Sequence, residues 1–231
     1  MEYGLKPLGR EKLWTWGLLI PTLIGLVFGA VGSLLATLIL SLFDWDLIRA
    51  PVWTGLSNYV ALFQNENYLK AFTNTIVFTA LYVPGVLIIS LFVAVLLNRQ
   101  IRGLGIFRTI YFLPTVTSAV ATALVWNMIY GKDTGILNFF LESAGLQSVC
   151  WLCTSNAMTS VVIVNIWGAI GEGMIIFLAG LTAIPRDYYE AATVDGANEL
   201  QQFFRITLPL ITPSILFQTL ISAINAFQAY D

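Results

Sequence analysis

Apolar residues in this chain come in long blocks, separated by short polar stretches. Leu13–Phe43, Ala71–Asn98, Thr109–Gly131, Ala157–Thr182 and Leu210–Tyr230 are five such runs, and only the fourth holds a charge, Glu172. A helix needs roughly 20 apolar residues to cross the hydrocarbon of a bilayer. The pattern therefore predicts an all-α polytopic membrane protein with five spanning helices, at about 16–42, 72–97, 109–130, 157–181 and 210–230. Residues 1–12 are expected as a short tail and 13–231 as one transmembrane domain. The first run is too long for the apolar core of a cleaved signal peptide, so it is read as retained. Trp14 and Trp16 mark its interfacial end. Gly25, Gly29 and Ser33 give it a small-residue face for helix packing. Pro84-Gly85 predicts a kink in the second run.

One polar stretch differs from the rest. Residues 184–209 gather Arg186, Asp187, Glu190, Asp195, Glu199 and Arg205 between two greasy segments. Pro185 suits a first helical turn, where its missing N–H costs nothing. Asp187 and Glu190 are expected near the positive end of that helix. Ala191 and Ala192 favour helix and carry almost no bulk. Asp195-Gly196 should close it, because glycine accepts a left-handed conformation. Asn198 with Gln201 reads as a capping box opening a second helix, which Pro209 is expected to end. The prediction is helix, glycine turn, helix: a knob with a smooth alanine face that fits a partner's groove.

Charge sets the orientation. With the N-terminus inside, the inner segments hold Lys6, Arg10, Lys12, Arg99, Arg102, Arg108, Arg186 and Arg205, against Arg49, Lys70 and Lys132 outside. The positive-inside rule thus places 184–209 in the cytoplasm. Composition agrees with a membrane protein: 58% of residues are hydrophobic, 10% are charged, and the net charge of −2 leaves no nucleic-acid footprint. There is no histidine, which removes the commonest metal ligand and general base.

Glu190-Ala191-Ala192, three residues, Gly196, nine residues and Ile206-x-Leu208-Pro209 resemble, position for position, the EAA loop of ATP-binding-cassette import permeases. The likeness extends to LFDWDL with GLSNY, to LLNRQIRGLGIFRTIYFLP and to GLTAIPRDYYEAA, which are similar to the sugar-type branch of that family. The resemblance implies an inner-membrane permease subunit importing carbohydrate, with the N-terminus cytoplasmic. Its partners would be a second permease subunit, an ABC ATPase dimer, an extracytoplasmic solute-binding protein and membrane lipid. Glu190, Ala191, Ala192, Asp195, Gly196, Leu208 and Pro209 would couple the chain to the ATPase. The resemblance also implies a sixth helix beyond Asp231, so the chain is expected to be a fragment or a truncated product.

No G-x-x-x-x-G-K-[ST] occurs in the sequence, so ATP-Mg is expected on the partner ATPase and no cofactor on this chain. Polar groups inside a bilayer usually face the bundle interior or a wet cavity. Trp126, Asn165, Glu172, Gln218 and Asn225 are therefore the candidate substrate-pathway residues, with helix-tying hydrogen bonds as the competing role. For Glu172 three roles stand open: a proton-linked site, a substrate contact or a helix tie. Cys150-x-x-Cys153 sits in an outer loop, where two inert thiols are expected rather than a disulfide or a zinc site. The rival function is a secondary transporter or channel independent of ATP.

Overall fold

The computed structural model describes residues 8–99 and 103–228, with side chains from Trp14 onward. Lys6, Arg102, Ala229, Tyr230 and Asp231 lie outside the described residues, as do the side chains of Arg10 and Lys12. The chain forms two compact units, Met1–Ala71 and Phe72–Asp231.

In the first unit, α1 (Leu8–Gly25) passes through a widened turn, Leu26–Val31, into α2 (Gly32–Leu40). Trp14–Leu40 is long and apolar enough to cross a membrane. A Cβ on Gly25 or Gly29 would meet nothing within 4 Å among the described residues, so the small-residue face is open here. A two-residue antiparallel ladder, β1 (Phe43–Asp44) with β2 (Val52–Trp53), then precedes α3 (Ser57–Gln64). The Asn58 amide donates to the carbonyls of Ser41 and Phe43, each at 2.9 Å, stitching α3 to the start of that ladder. Between the strands, Asp46 accepts from the N–H groups of Arg49 at 2.8 Å and Ile48 at 3.0 Å. These bonds favour its ionised form and hold its carboxyl below the usual range.

The second unit is built on α4 (Glu66–Leu97) and α8 (Ala157–Thr182). α4 runs unbroken through Pro84. Gly85 also serves packing, because a Cβ there would run into the Ile166 side chain. Two apolar clusters join these helices: Val93, Ala94, Leu97, Met174, Phe177 and Leu181 with Ile211, and Phe78, Tyr82, Val86 and Val162 with Ala226.

The third apolar run is not one straight helix. α5 (Leu104–Phe112) and a tight turn, Leu113–Val116, meet α6 (Ala119–Ile129) at 102°. Pro114 lacks a donor, and Thr117 leaves the helix with extended backbone. The Thr117 hydroxyl donates to the Leu113 carbonyl at 2.9 Å. A second break, of 65°, precedes α12 (Thr212–Phe227). It falls at Ile211 rather than at Pro209, which lies inside the short α11 (Leu208–Leu210). Pro213 then opens α12, where its missing donor is harmless.

The loop after α6 carries α7 (Ile136–Ser143) and turns on one buried side chain, Asn138. Its amide donates to Lys132 and Val149 carbonyls at 2.8 and 2.9 Å, and accepts from the Val149 N–H and the Trp151 indole, both at 3.0 Å. Cys150 and Cys153 form a disulfide, contrary to the expectation of two thiols. The turn brings their Cα atoms to 5.4 Å, within bridging range.

Glycines on α8 set the spacing of the bundle. A Cβ on Gly173 would lie 2.6 Å from the Ser90 hydroxyl, and one on Gly171 would lie 2.7 Å from the Tyr111 carbonyl. Gly173→Val should therefore destabilise the folded chain by about 1–3 kcal/mol through overpacking. Gly17→Val, where a Cβ meets nothing within 4 Å, is the control. Equal resistance of the two variants to denaturant in micelles would contradict this packing.

Candidate functional site

The polar segment folds as α9 (Arg186–Val194), a turn, and α10 (Glu199–Gln202). Pro185 is the residue before the helix, with extended backbone, rather than its first helical residue. Asp187 lies in the first turn, but Glu190 does not. The field of a helix end fades within one turn, so Glu190 is not held there by the dipole. It is exposed, and free to meet a partner.

The far end of α9 is closed by backbone geometry alone. Gly196 has φ +80°, its N–H donates to the Thr193 carbonyl at 3.0 Å, and the Ala197 N–H donates to the Ala192 carbonyl at 2.9 Å. Together these make a complete Schellman motif. The capping box follows: the Gln201 N–H donates to Asn198 Oδ1 at 2.9 Å, and the Asn198 N–H donates to Gln201 Oε1 at 3.0 Å. α10 then widens through Phe203–Thr207 into α11.

Four residues outside the sequence-based site, Tyr189, Thr193, Gln202 and Thr207, tie α9 to the segment that follows it. Gln202 Nε2 donates to the Thr193 hydroxyl at 3.0 Å and to the Ala197 carbonyl at 3.2 Å. The hydroxyls of Tyr189 and Thr207 share a hydrogen bond of 2.9 Å. In the sequence these read as ordinary polar helix residues, because no local spacing reveals a bond across a turn.

Seen from outside, Glu190, Ala191, Asp195, Gly196 and Pro209 are exposed, while Ala192 and Leu208 are half-buried. Large apolar side chains stand beside them in water: Val194 is 88% exposed and Leu200 is 70% exposed. An exposed apolar patch of this kind marks an interaction surface. Behind it, Arg99 at the end of α4 pairs with Glu199 at 2.9 Å. Both side chains are largely exposed, so the pair contributes little stability and acts mainly by position. A cavity of about 350 Å³ opens there, lined by Asn98, Arg99, Tyr189, Glu199, Gln202 and Thr207.

The membrane-embedded candidates divide in two. Gln218 is 2% exposed, and its Nε2 donates to the buried Ser222 hydroxyl at 3.1 Å. Its Oε1 finds no partner among the described residues. It stands opposite Gly173 inside the packing of α4, α8 and α12, not on the open surface with Asn225. Asn165 is exposed on α8, its Nδ2 donating to the Val161 carbonyl at 2.9 Å. Glu172 is half-buried on the same face and forms no ion pair among the described residues. Trp126 belongs to an aromatic row: its ring lies 5.2 Å from Tyr130 and 5.7 Å from Trp167, and Tyr130 stacks at 5.8 Å on Trp151.

Comparison with known proteins places this architecture among transport components. Residues 54–231 match the family described as binding-protein-dependent transport system inner membrane component. The chain is 37% identical over 225 residues to the probable ABC transporter permease protein YesP of Bacillus subtilis, covering 96% of this chain and 72% of that protein. It is 35% identical to the sn-glycerol-3-phosphate transport system permease protein UgpA of Yersinia enterocolitica, over 76% of this chain and 59% of the relative. A bacterial ABC transporter involved in the import of the acidic polysaccharide alginate has a similar crystal structure. The TM-score is 0.80 at 26% identity, over 95% of this chain and 75% of that one.

Asn198→Ala removes the acceptor of the Gln201 N–H and should cost about 1 kcal/mol of local helix stability. Amide exchange at Gln201 should accelerate roughly fivefold. An unchanged rate would mean that the capping box does not hold α10.

Proposed function

Since this chain belongs to the family of binding-protein-dependent transport system inner membrane components, a membrane permease subunit of ABC importers, we propose that it lines the passage for a carbohydrate and is driven through α9. A second, related permease completes the passage. A solute-binding protein delivers the sugar from outside, and an ABC ATPase dimer supplies the work. ATP-Mg belongs to that dimer, and this chain binds no cofactor of its own. The chain lies in a bacterial-type cytoplasmic membrane with its N-terminus inside. Its transmembrane domain covers 13–231, and residues 184–209 form its coupling loop.

The observation that carries this reading is the exposed, locally capped knob of α9 and α10. Its shape is fixed by backbone and side-chain bonds within the segment, and its apolar residues Val194 and Leu200 are largely exposed. Glu190 would anchor the contact, Ala191 and Ala192 would allow close approach, and Asp195-Gly196 would form the turn. Leu208 and Pro209 would carry the motion into α12. When ATP closes the ATPase pair, α9 moves as a body, and the ties through Tyr189, Gln202 and Glu199 hand that movement to α4 and α11. ATP shifts the passage between its outward and inward arrangements only by its differential affinity for the two.

Support for carbohydrate cargo comes from the alginate importer's likeness and from the polar face of α8. Asn165 and Glu172 offer acceptors to hydroxyls, Asn225 is exposed on α12, and Trp126 offers a ring for a sugar's apolar side. Gln218 would be a helix tie, since its own chain encloses it. A secondary transporter has no use for a capped cytoplasmic knob, and family membership argues against it.

Proline cannot adopt φ +80° or supply the N–H that Gly196 gives to Thr193. Gly196→Pro and Ala192→Asp should therefore abolish sugar-stimulated ATP hydrolysis by the assembled transporter, while both variants still insert into the membrane. Normal stimulation in both would remove the docking role from α9.

A further inference from the structure

We propose that Glu172 sorts cargo by charge, admitting carbohydrate that is neutral or amine-bearing and turning away uronates and sugar phosphates. This rests on the reading above, in which the open face of α8 lines the passage.

The placement of Glu172 is specific. At about 100° per residue, Val161, Asn165, Glu172 and Ala179 fall within roughly 40° of one another on α8. All four are exposed or half-exposed in this chain. The stripe is bounded on both sides by packed glycines. Gly171 meets Tyr111, Phe112 and Thr115 on one flank, and Gly173 meets Ser90 and Gln218 on the other. Glu172 therefore projects from a seam that this chain leaves open. It stands ten residues before Thr182, the end of α8, which is about 15 Å along the axis or half the thickness of the hydrocarbon.

A carboxylate at that depth is too costly against lipid and belongs toward a wet cavity or another protein surface. Apart from Arg108 on α5, no charged side chain other than Glu172 occurs from Ala71 to Leu97 of α4, or in α5, α6, α8 or α12. Among the described residues, no cation lies within ion-pairing distance of Glu172. Nearby Tyr82 is within its electrostatic reach but supplies no positive charge. This chain thus brings a carboxylate to the middle of the passage with no ion-pairing cation of its own among the described residues.

Chemistry then selects the ligand. A carboxylate grips two hydroxyls, or an ammonium, through its two acceptor oxygens, and it has nothing to donate to another carboxylate or to a phosphate. Asn165 reinforces the choice: one of its two N–H groups is engaged by the Val161 carbonyl, and its Oδ1 stands as a second acceptor on the same stripe. Two acceptors and no cation suit a donor-rich cargo. Repulsion of an anion is strongest here, away from bulk water.

The test uses the complete transporter in proteoliposomes loaded with ATP: this chain, its partner permease, the ATPase pair and the binding protein. The probes are radiolabelled trimers of glucose, glucosamine and galacturonate, together with sn-glycerol 3-phosphate. Uptake of the glucose or glucosamine trimer, without the two anions, is the expected result. Efficient uptake of either anion by the unaltered transporter overturns the proposal. Uptake of none of the four overturns the carbohydrate reading beneath it, a separate result. Glu172→Gln should change the ratio of galacturonate to glucose trimer uptake at least tenfold. If that ratio holds while the yield of assembled complex falls, Glu172 is a tie to the second permease and the proposal fails.

Discussion

Close approach of α4, α5 and α12 to α8 is the constraint on which the second unit depends. In a bilayer, helices gain little hydrophobic free energy from meeting one another, so contact has to come from shape and from hydrogen bonds. α8 supplies both through its small residues. Gly171 and Gly173 remove the Cβ atoms that would strike Tyr111 and Ser90, and the exposed backbone accepts bonds from neighbours. The Ser90 hydroxyl reaches the Ile170 carbonyl at 3.3 Å, and the Thr115 hydroxyl reaches that of Gly168 at 3.1 Å. A side chain at Gly171 would push α5 away, and one at Gly173 would push away α4 and α12.

The knob of α9 and α10 is stabilised by different means. It lies beyond the packed spans and buries no large side chain, so its geometry comes from caps: a glycine closure, a capping box and the Gln202 bridge. A segment built this way keeps its shape while moving as a body. The proposed coupling to an ATPase would use that property, and the exposed Val194 and Leu200 mark an interaction surface.

Polar side chains in the membrane sort by whether the chain itself satisfies them. Asn138, Tyr130 and Ser160 form a closed network at one end of the bundle, with the Tyr130 hydroxyl donating to the Ser160 carbonyl at 3.0 Å and the Ser160 hydroxyl to that of Trp151 at 2.7 Å. These groups fix the loop that holds the disulfide. Gln218 is enclosed and half-satisfied, which suits a tie between helices. Asn165 is exposed and bonds to the Val161 carbonyl of its own helix, and Glu172 is half-buried with no ion pair among the described residues, so these are the groups the proposed function leaves to cargo.

The sequence by itself determined the membrane class, because long uncharged runs have no other stable home. It also determined the knob: Gly196 and the Asn198–Gln201 pair act on neighbours within a few residues, so their spacing carries their structure. What local pattern left open was decided across distance in the chain. The bend between α5 and α6, the helix break at Ile211 rather than Pro209, and the role of Gly85 all depend on what packs alongside. The same holds for Cys150 and Cys153, whose loop is folded by Asn138 from 11 residues away. It holds most for Gln218 and Glu172. Both are polar residues in apolar helices, yet one is shut inside the bundle and the other stands at its open seam. Helical periodicity gives the face of each residue, but only the arrangement of neighbouring helices decides whether that face is covered.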